Sequence, residues 1–139
     1  MRAILLSWLL FCWVEADSIK WHGNYDTALQ KAKKEQKDMM ILLIQKGSPK
    51  GSQTIVKNFM NRDYIEDLNE RFIAVIITYE GRSSYPIELY YSTVFPTLFF
   101  VNSSDERFIT KPLYGDDIDK LDKRLISSII ALCFGINPL

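Results

Sequence analysis

Met39-Met40-Ile41-Leu42-Leu43-Ile44-Gln45-Lys46-Gly47-Ser48-Pro49-Lys50-Gly51-Ser52 passes from an unbroken apolar run into a stretch rich in Gly, Ser and Lys. The apolar part has strand length and no polar alternation. Met39–Ile44 is therefore expected to be a β-strand buried on both faces. The polar part, Gln45–Ser52, is expected to be a loop. Beyond it, Ile55, Val56, Phe59 and Met60 mark the inward side of a helix. A buried strand that feeds a helix is the unit from which α/β sheets are built.

The flanking segments extend that unit. Upstream, Tyr25, Ala28, Leu29 and Ala32 recur at helical spacing. Asn24 or Asp26 can cap this helix at its start. Lys31, Lys33, Lys34 and Lys37 crowd its end, where they complement the macrodipole and form a solvated face. Downstream, Asp63-Tyr64-Ile65-Glu66 resembles a capping box and opens a short helix carrying Ile65 and Leu68. Phe72–Tyr79 is rich in β-branched residues and reads as a second buried strand. Glu80–Ser84 is a polar loop. Tyr85–Val94 is aromatic and expected to be partly helical until Phe95-Pro96-Thr97 breaks it.

Leu98–Val101 reads as a third strand, Asn102–Glu106 as a turn and Phe108–Leu113 as a fourth strand. Pro112 cannot donate to a ladder, so that strand belongs at an edge. Ile118, Leu121, Leu125, Ile126, Ile129 and Ile130 mark a long C-terminal helix, capped by Asp116 or Asp117 and ended by Gly135 and Pro138. This order predicts an α/β fold, a central mixed sheet of about four strands flanked by helices on both faces. No internal repeat, linker or low-complexity tract interrupts it.

The 139 residues suffice for one domain, and 47% apolar with 24% charged residues is a globular balance. The formal net charge is zero, which argues against a nucleic-acid partner. Residues 1–16 differ in kind. Arg2 precedes an apolar run from Ala3 to Val14, and Val14-Glu15-Ala16 offers a cleavage site. They read as a secretory signal peptide, leaving a domain of residues 17–139. The apolar run is about a dozen residues, short of the roughly 20 that span a bilayer. No later run is long enough either, so no membrane span is expected after cleavage. Of the two cysteines, Cys12 and Cys133, only Cys133 remains in the mature chain. No intramolecular disulfide can then form.

Four segments, in order, carry a resemblance. They are Trp21 with Tyr25-Asp26-Thr27-Ala28-Leu29-Gln30-Lys31-Ala32-Lys33; Met39–Ile44; Asn61–Phe72; and Phe95-Pro96-Thr97-Leu98-Phe99-Phe100-Val101 followed by Tyr114-Gly115. Together they resemble the thioredoxin-like superfamily, nearest to the exported thioredoxin-related proteins of bacterial periplasms. The resemblance implies a thioredoxin-like fold. It also implies that the family's redox Cys-x-x-Cys falls on Ser48-Pro49-Lys50-Gly51. Ser48 is nearly isosteric with cysteine but has no thiolate, and Gly51 has no side chain. Thiol–disulfide exchange needs a thiolate and a second thiol for release, so no catalytic residue is expected here.

The resemblance places the family's cis-proline at Pro96, with Phe95 and Thr97 beside it. In the family, the backbone preceding that proline pairs with an extended peptide, a recognised binding mode. It implies a redox-inactive protein that holds a partner or an extended peptide at this groove. The periplasm is the expected compartment, with the endoplasmic reticulum lumen or secretion as alternatives. The rival is an oxidoreductase-related protein acting through Cys133 or a partner's thiol. Cys133, however, continues the apolar stripe of the last helix, where buried thiols are inert.

Other residues yield weaker expectations. Lys46, Lys50 and Ser52 make the loop a candidate anion or partner contact at a helix N-terminus, although its glycine spacing fails the phosphate-loop pattern. Tyr85, Tyr90 and Tyr91 are a candidate aromatic rim, with core packing the alternative. His22 stands without a second ligand, so no metal or other cofactor is expected. Asn102-Ser103-Ser104 is a glycosylation sequon that matters only in a eukaryotic secretory route.

Overall fold

The structure is a computed structural model and describes residues 18–79 and 85–135. The expected leader, the Glu80–Ser84 loop and Pro138 lie outside the described residues.

A short strand β1, Trp21–His22, precedes helix α1, Tyr25–Glu35. Asn24 caps α1, its Oδ1 accepting the Thr27 N–H at 2.9 Å. The helix ends at Gln36 in the left-handed region. Strand β2, Asp38–Gln45, leads into α2, Lys50–Asn58. Helix α3, Ile65–Arg71, runs straight into β3, Phe72–Tyr79. Strands β4, Thr97–Val101, and β5, Leu113–Tyr114, follow. A 3-10 helix, Gly115–Lys120, and α4, Lys123–Cys133, close the chain.

The sheet order is β1-β3-β2-β4-β5. β2 lies at the centre, parallel to β3 and antiparallel to β4. Near the C-terminal end of β2, Leu43 pairs with Thr97, the first residue of β4. The loop after β2 therefore sits beside the residues that precede β4. Alternation along β2 divides the core into two layers. Met40 and Leu42 face Phe59, Tyr64, Ile65, Leu68, Ile126 and Ile129, under α2, α3 and α4. Met39, Ile41 and Leu43 face Tyr25, Ala28 and Ala32 of α1, together with Tyr90. Truncating one of these side chains, as in Leu42→Ala, costs about 2–5 kcal/mol.

The α/β architecture with a mixed sheet matches the sequence reading. Among the described residues there are five strands rather than about four, because the two-residue β1 is too short to leave a periodic signal. Several local expectations need correction. The loop after β2 is shorter than Gln45–Ser52, since Pro49 already has helical backbone angles and α2 starts at Lys50. Val56 is 65% exposed, and Met60 is also exposed, so neither points inward. The buried side of α2 is Gly51 and Asn58, with Ile55 half-buried. Asp63 caps nothing; Tyr64 occupies the cap position of α3, and its hydroxyl donates to the Asn58 carbonyl at 2.6 Å. Tyr85–Val94 contains only a turn, in which Leu89 and Tyr90 donate to the Pro86 carbonyl.

The expected fourth strand shrinks to Leu113–Tyr114, with Phe108 in a single bridge to Val101. Pro112 directly precedes that edge strand, where no ladder donor is missed. The long terminal helix is in fact two pieces. Asp116 and Asp117 open the 3-10 helix, and α4 begins afresh behind Asp122, whose Oδ1 accepts the Leu125 N–H at 2.7 Å.

Candidate functional site

The start of α2, the segment before β4 and the 3-10 helix surround a groove of about 580 Å³. One wall is α2. Lys50, Gln53, Thr54 and Lys57 line it because their i, i+3, i+4, i+7 spacing puts them on one helix face. The floor is Val94, Phe95, Pro96 and Tyr114. The opposite wall is Gly115, Asp116, Asp117 and Asp119.

The floor is apolar yet open to solvent, with Val94 46% and Tyr114 43% exposed. The Phe95–Pro96 peptide bond is cis. Phe95 packs its ring on Tyr79, centroids 5.3 Å apart, and its backbone makes no hydrogen bond to another described residue. The Pro96 carbonyl accepts the Gly115 N–H at 2.9 Å, which ties the floor to the 3-10 helix. Behind the floor, Ser92 Oγ accepts the Val94 N–H at 3.0 Å and lies 2.9 Å from Thr97 Oγ1. Thr97 is fully buried in this knot, so it anchors the groove without lining it.

Asp119 holds the two walls together. Its Oδ1 accepts from Asn58 Nδ2 at 2.7 Å, and its Oδ2 lies 3.1 Å from Lys57 Nζ. The Asn58 hydrogen bond and then Lys57 hold the carboxyl below the usual carboxylate range. Tyr114 belongs to a segment that carried the resemblance, whereas neither Asp119 nor Val94 was singled out in the sequence. Gln53, Thr54 and Lys57 lie in or border the expected helix, but Lys50 was expected in the loop before it, and their facing partners depend on the tertiary fold.

Of Ser48-Pro49-Lys50-Gly51, only Lys50 lines the groove, at the start of α2. Ser48 Oγ accepts the Lys50 N–H at 3.3 Å, a local turn at the helix entry. Gly51 packs directly on β2. A Cβ placed there would lie 2.8 Å from Ile44 Cγ2 and 2.9 Å from Ile44 Cβ. Ile44 therefore fills the space that a side chain at position 51 would need. Of the candidate anion contacts, Lys50 reaches the groove, whereas Lys46 and Ser52 are exposed away from it.

The expected aromatic rim does not form. Tyr90 is fully buried, and its hydroxyl lies 2.8 Å from the Tyr25 hydroxyl, which in turn donates to Glu106 Oε1. Burial pushes the Tyr90 phenol up to about 12, and burial with the Glu106 bond raises Tyr25 as well. Tyr85 packs half-buried beside the α1 layer, and Tyr91 is exposed outside the groove. A tyrosine needs somewhere to put its hydroxyl, and Tyr90 finds it in Tyr25 rather than in water.

His22 lies in a separate small cleft with Lys31 and Glu35, its pKa lowered by burial and by Lys31. Among the described residues no group of three His, Cys, Asp or Glu side chains could hold a metal ion. Cys133 lines a different cavity, with Asp38 and Arg71, at the end of the sheet where β2 begins. The thiol is half-buried and lies 3.5 Å from the Ile129 carbonyl. Burial, and then Asp38, push its pKa up to about 12.

A central β2 between a parallel β3 and an antiparallel β4, helices on both faces and a groove at a proline before β4 define an α/β protein of the thioredoxin class. The chain belongs to the thioredoxin-like family, whose profile matches residues 20–103, more than half of its length. A comparison with curated proteins gave no match. Among solved structures, the fold is similar to a candidate disulphide-isomerase from Bacteroides thetaiotaomicron. That match has 20% identity and a TM-score of 0.63 over 85% of this chain and 95% of that one. DsbH oxidoreductase aligns at 12% identity and TM-score 0.63, over 86% of this chain and 87% of its own. A thioredoxin from Thermus thermophilus aligns at 16% identity and TM-score 0.60, over 84% and 88%. At these identities the likeness is one of fold.

Proposed function

We propose that this protein is an exported thioredoxin-like binding module that holds an extended polypeptide segment in the Phe95–Pro96 groove without thiol exchange. The observation that carries this reading is the floor. Apolar side chains at Val94 and Tyr114 are exposed beside a Phe95 backbone with no partner among the described residues. An extended segment can satisfy that backbone and cover those side chains at once.

Ser48 and Gly51 support the redox-inactive part of the reading. Exchange needs a thiolate, and Ser48 has none. Ser48→Cys alone would still lack a resolving thiol, since position 51 is glycine, and Ile44 occupies the space that a cysteine there would need. Cys133 is protonated at neutral pH and opens into another cavity. The family's oxidoreductase and isomerase relatives make thiol chemistry through Cys133, or through a partner's thiol, the second reading. Export rests on the leader-like residues 1–16, with the periplasm as the favoured compartment.

The test is capture of extended peptides from an array by the purified protein, beside an insulin-reduction assay. Capture that falls in Val94→Asp, with no reductase activity, supports the proposal. Reductase activity that disappears in Cys133→Ser overturns it. Cell fractionation with N-terminal sequencing checks export and cleavage after Ala16.

A further inference from the structure

The charges on the groove walls define what kind of segment it takes; this rests on the groove being the binding surface. Most of the charged side chains there are already committed. Lys57 pairs with Asp119 at 3.1 Å, and Asp117 with Lys120 at 2.9 Å. Two lining charges, Lys50 and Asp116, make no ion pair within 4 Å among the described residues, although Asp116 helps Asp117 to stabilise the Lys120 ammonium. Both are exposed, and they stand on opposite walls, Lys50 opening α2 and Asp116 on the 3-10 helix. The first turn of α2 carries no acidic residue, so no side chain of that turn offsets the positive potential at Lys50. Between the two lies the apolar floor of Val94, Phe95 and Tyr114.

We propose that the groove selects a polypeptide segment of mixed charge, with an apolar side chain over the floor, an acidic side chain towards Lys50 and a basic one towards Asp116. A segment of one sign meets a like charge on one wall whichever way it lies. A neutral segment covers the floor but gives Lys50 and Asp116 no partner of its own. Exposed ion pairs of this kind are each worth about two- to fivefold in affinity and weaken with salt. Their effect is therefore selection and orientation more than tight binding.

The experiment uses the full mature chain and five synthetic ten-residue peptides with a common Val-Tyr-Val centre. Two carry Glu on one side of the centre and Lys on the other, in the two opposite orders. One carries Lys on both sides, one Glu on both and one Ser on both. Affinities are read by fluorescence anisotropy at low salt and at high salt. One mixed peptide is expected to bind about tenfold more tightly than the Ser peptide, with the advantage collapsing at high salt. Lys50→Glu should lose that preference and regain it with the Lys–Lys peptide. Asp116→Lys should regain it with the Glu–Glu peptide. Equal affinity of the mixed and Ser peptides, or tightest binding of a single-sign peptide to the unmodified protein, overturns charge selection while leaving the groove reading intact. Failure of all five peptides to bind overturns both.

Discussion

Gly51 shows how one residue decides what this site can become. In a helix, Gly→Ala ordinarily stabilises by up to about 1 kcal/mol. Here the new methyl would press on Ile44 Cγ2 and Cβ, and Ile44 is tethered in the central strand. Overpacking of this sort costs about 1–3 kcal/mol, so the clash decides the sign. Gly51→Ala is expected to destabilise the protein in urea denaturation, while Ser52→Ala, one residue on and exposed, changes stability by less than about 0.5 kcal/mol. Cys133 supplies a second residue-scale prediction. Its thiol is held up to about 12, so its thiolate fraction at pH 8 is far below that of an unfolded cysteine. Alkylation by iodoacetamide at pH 8 is expected to be at least about a hundredfold slower in the native protein than in denaturant. Native alkylation at the rate of a free thiol would contradict this. The sequence showed that Ser48 and Gly51 hold no thiols. It did not show that Ile44 fills the second position, because that contact depends on how closely α2 sits on β2.

At the scale of elements, the walls of the groove are joined by one carboxylate. Asp119 grips Asn58 and Lys57 of α2 from the 3-10 helix. Its side chain is 35% exposed, so solvent screens much of the pairing, and Asp119→Ala is expected to cost about 1 kcal/mol at neutral pH. The folded-state pKa lies below the unfolded one, so this contribution is present above the unfolded value of about 3.9 and is lost as pH falls through the folded value. Denaturation curves of the variant and the parent should therefore differ by a constant amount from about pH 5 to 8 and converge in acid. Asp122→Ala removes the cap of α4 and is expected to cost about 1 kcal/mol at neutral pH. Strong periodicity made α1, β2 and β3 legible. The apolar stripe from Ile118 to Ile130 also suggested one helix, yet the chain breaks at Leu121, where both pieces must turn their apolar sides to the same core layer. Val56 and Met60 were misplaced for a related reason. Their apolar character suggested burial, but α2 leans on the sheet through Gly51, Ile55 and Asn58.

For the molecule as a whole, the two core layers divide the work. The α1 layer is sealed by the hydrogen-bonded line from Tyr90 through Tyr25 to Glu106. The other layer carries α2 and the 3-10 helix, and with them both walls of the groove. The division implies that damage to the tyrosine line lowers stability without changing what the groove accepts. Tyr25→Phe leaves the Tyr90 hydroxyl buried without its partner and is expected to cost about 1–3 kcal/mol in thermal or chemical denaturation, with peptide affinity unchanged below the transition. The fold class was readable because four segments fall in the order and spacing of a known family. The groove was only half readable: Phe95, Pro96, Lys50 and Tyr114 lie in recognisable segments, but the exposure of Val94 and the bridging by Asp119 depend on tertiary packing. The central claim is a groove that binds without thiol chemistry. Its most direct test is equilibrium binding of an extended peptide to three proteins side by side: unmodified, Val94→Asp and Cys133→Ser. Binding that Val94→Asp abolishes and Cys133→Ser leaves unchanged is the predicted result, whereas binding that survives Val94→Asp and disappears in Cys133→Ser would contradict it.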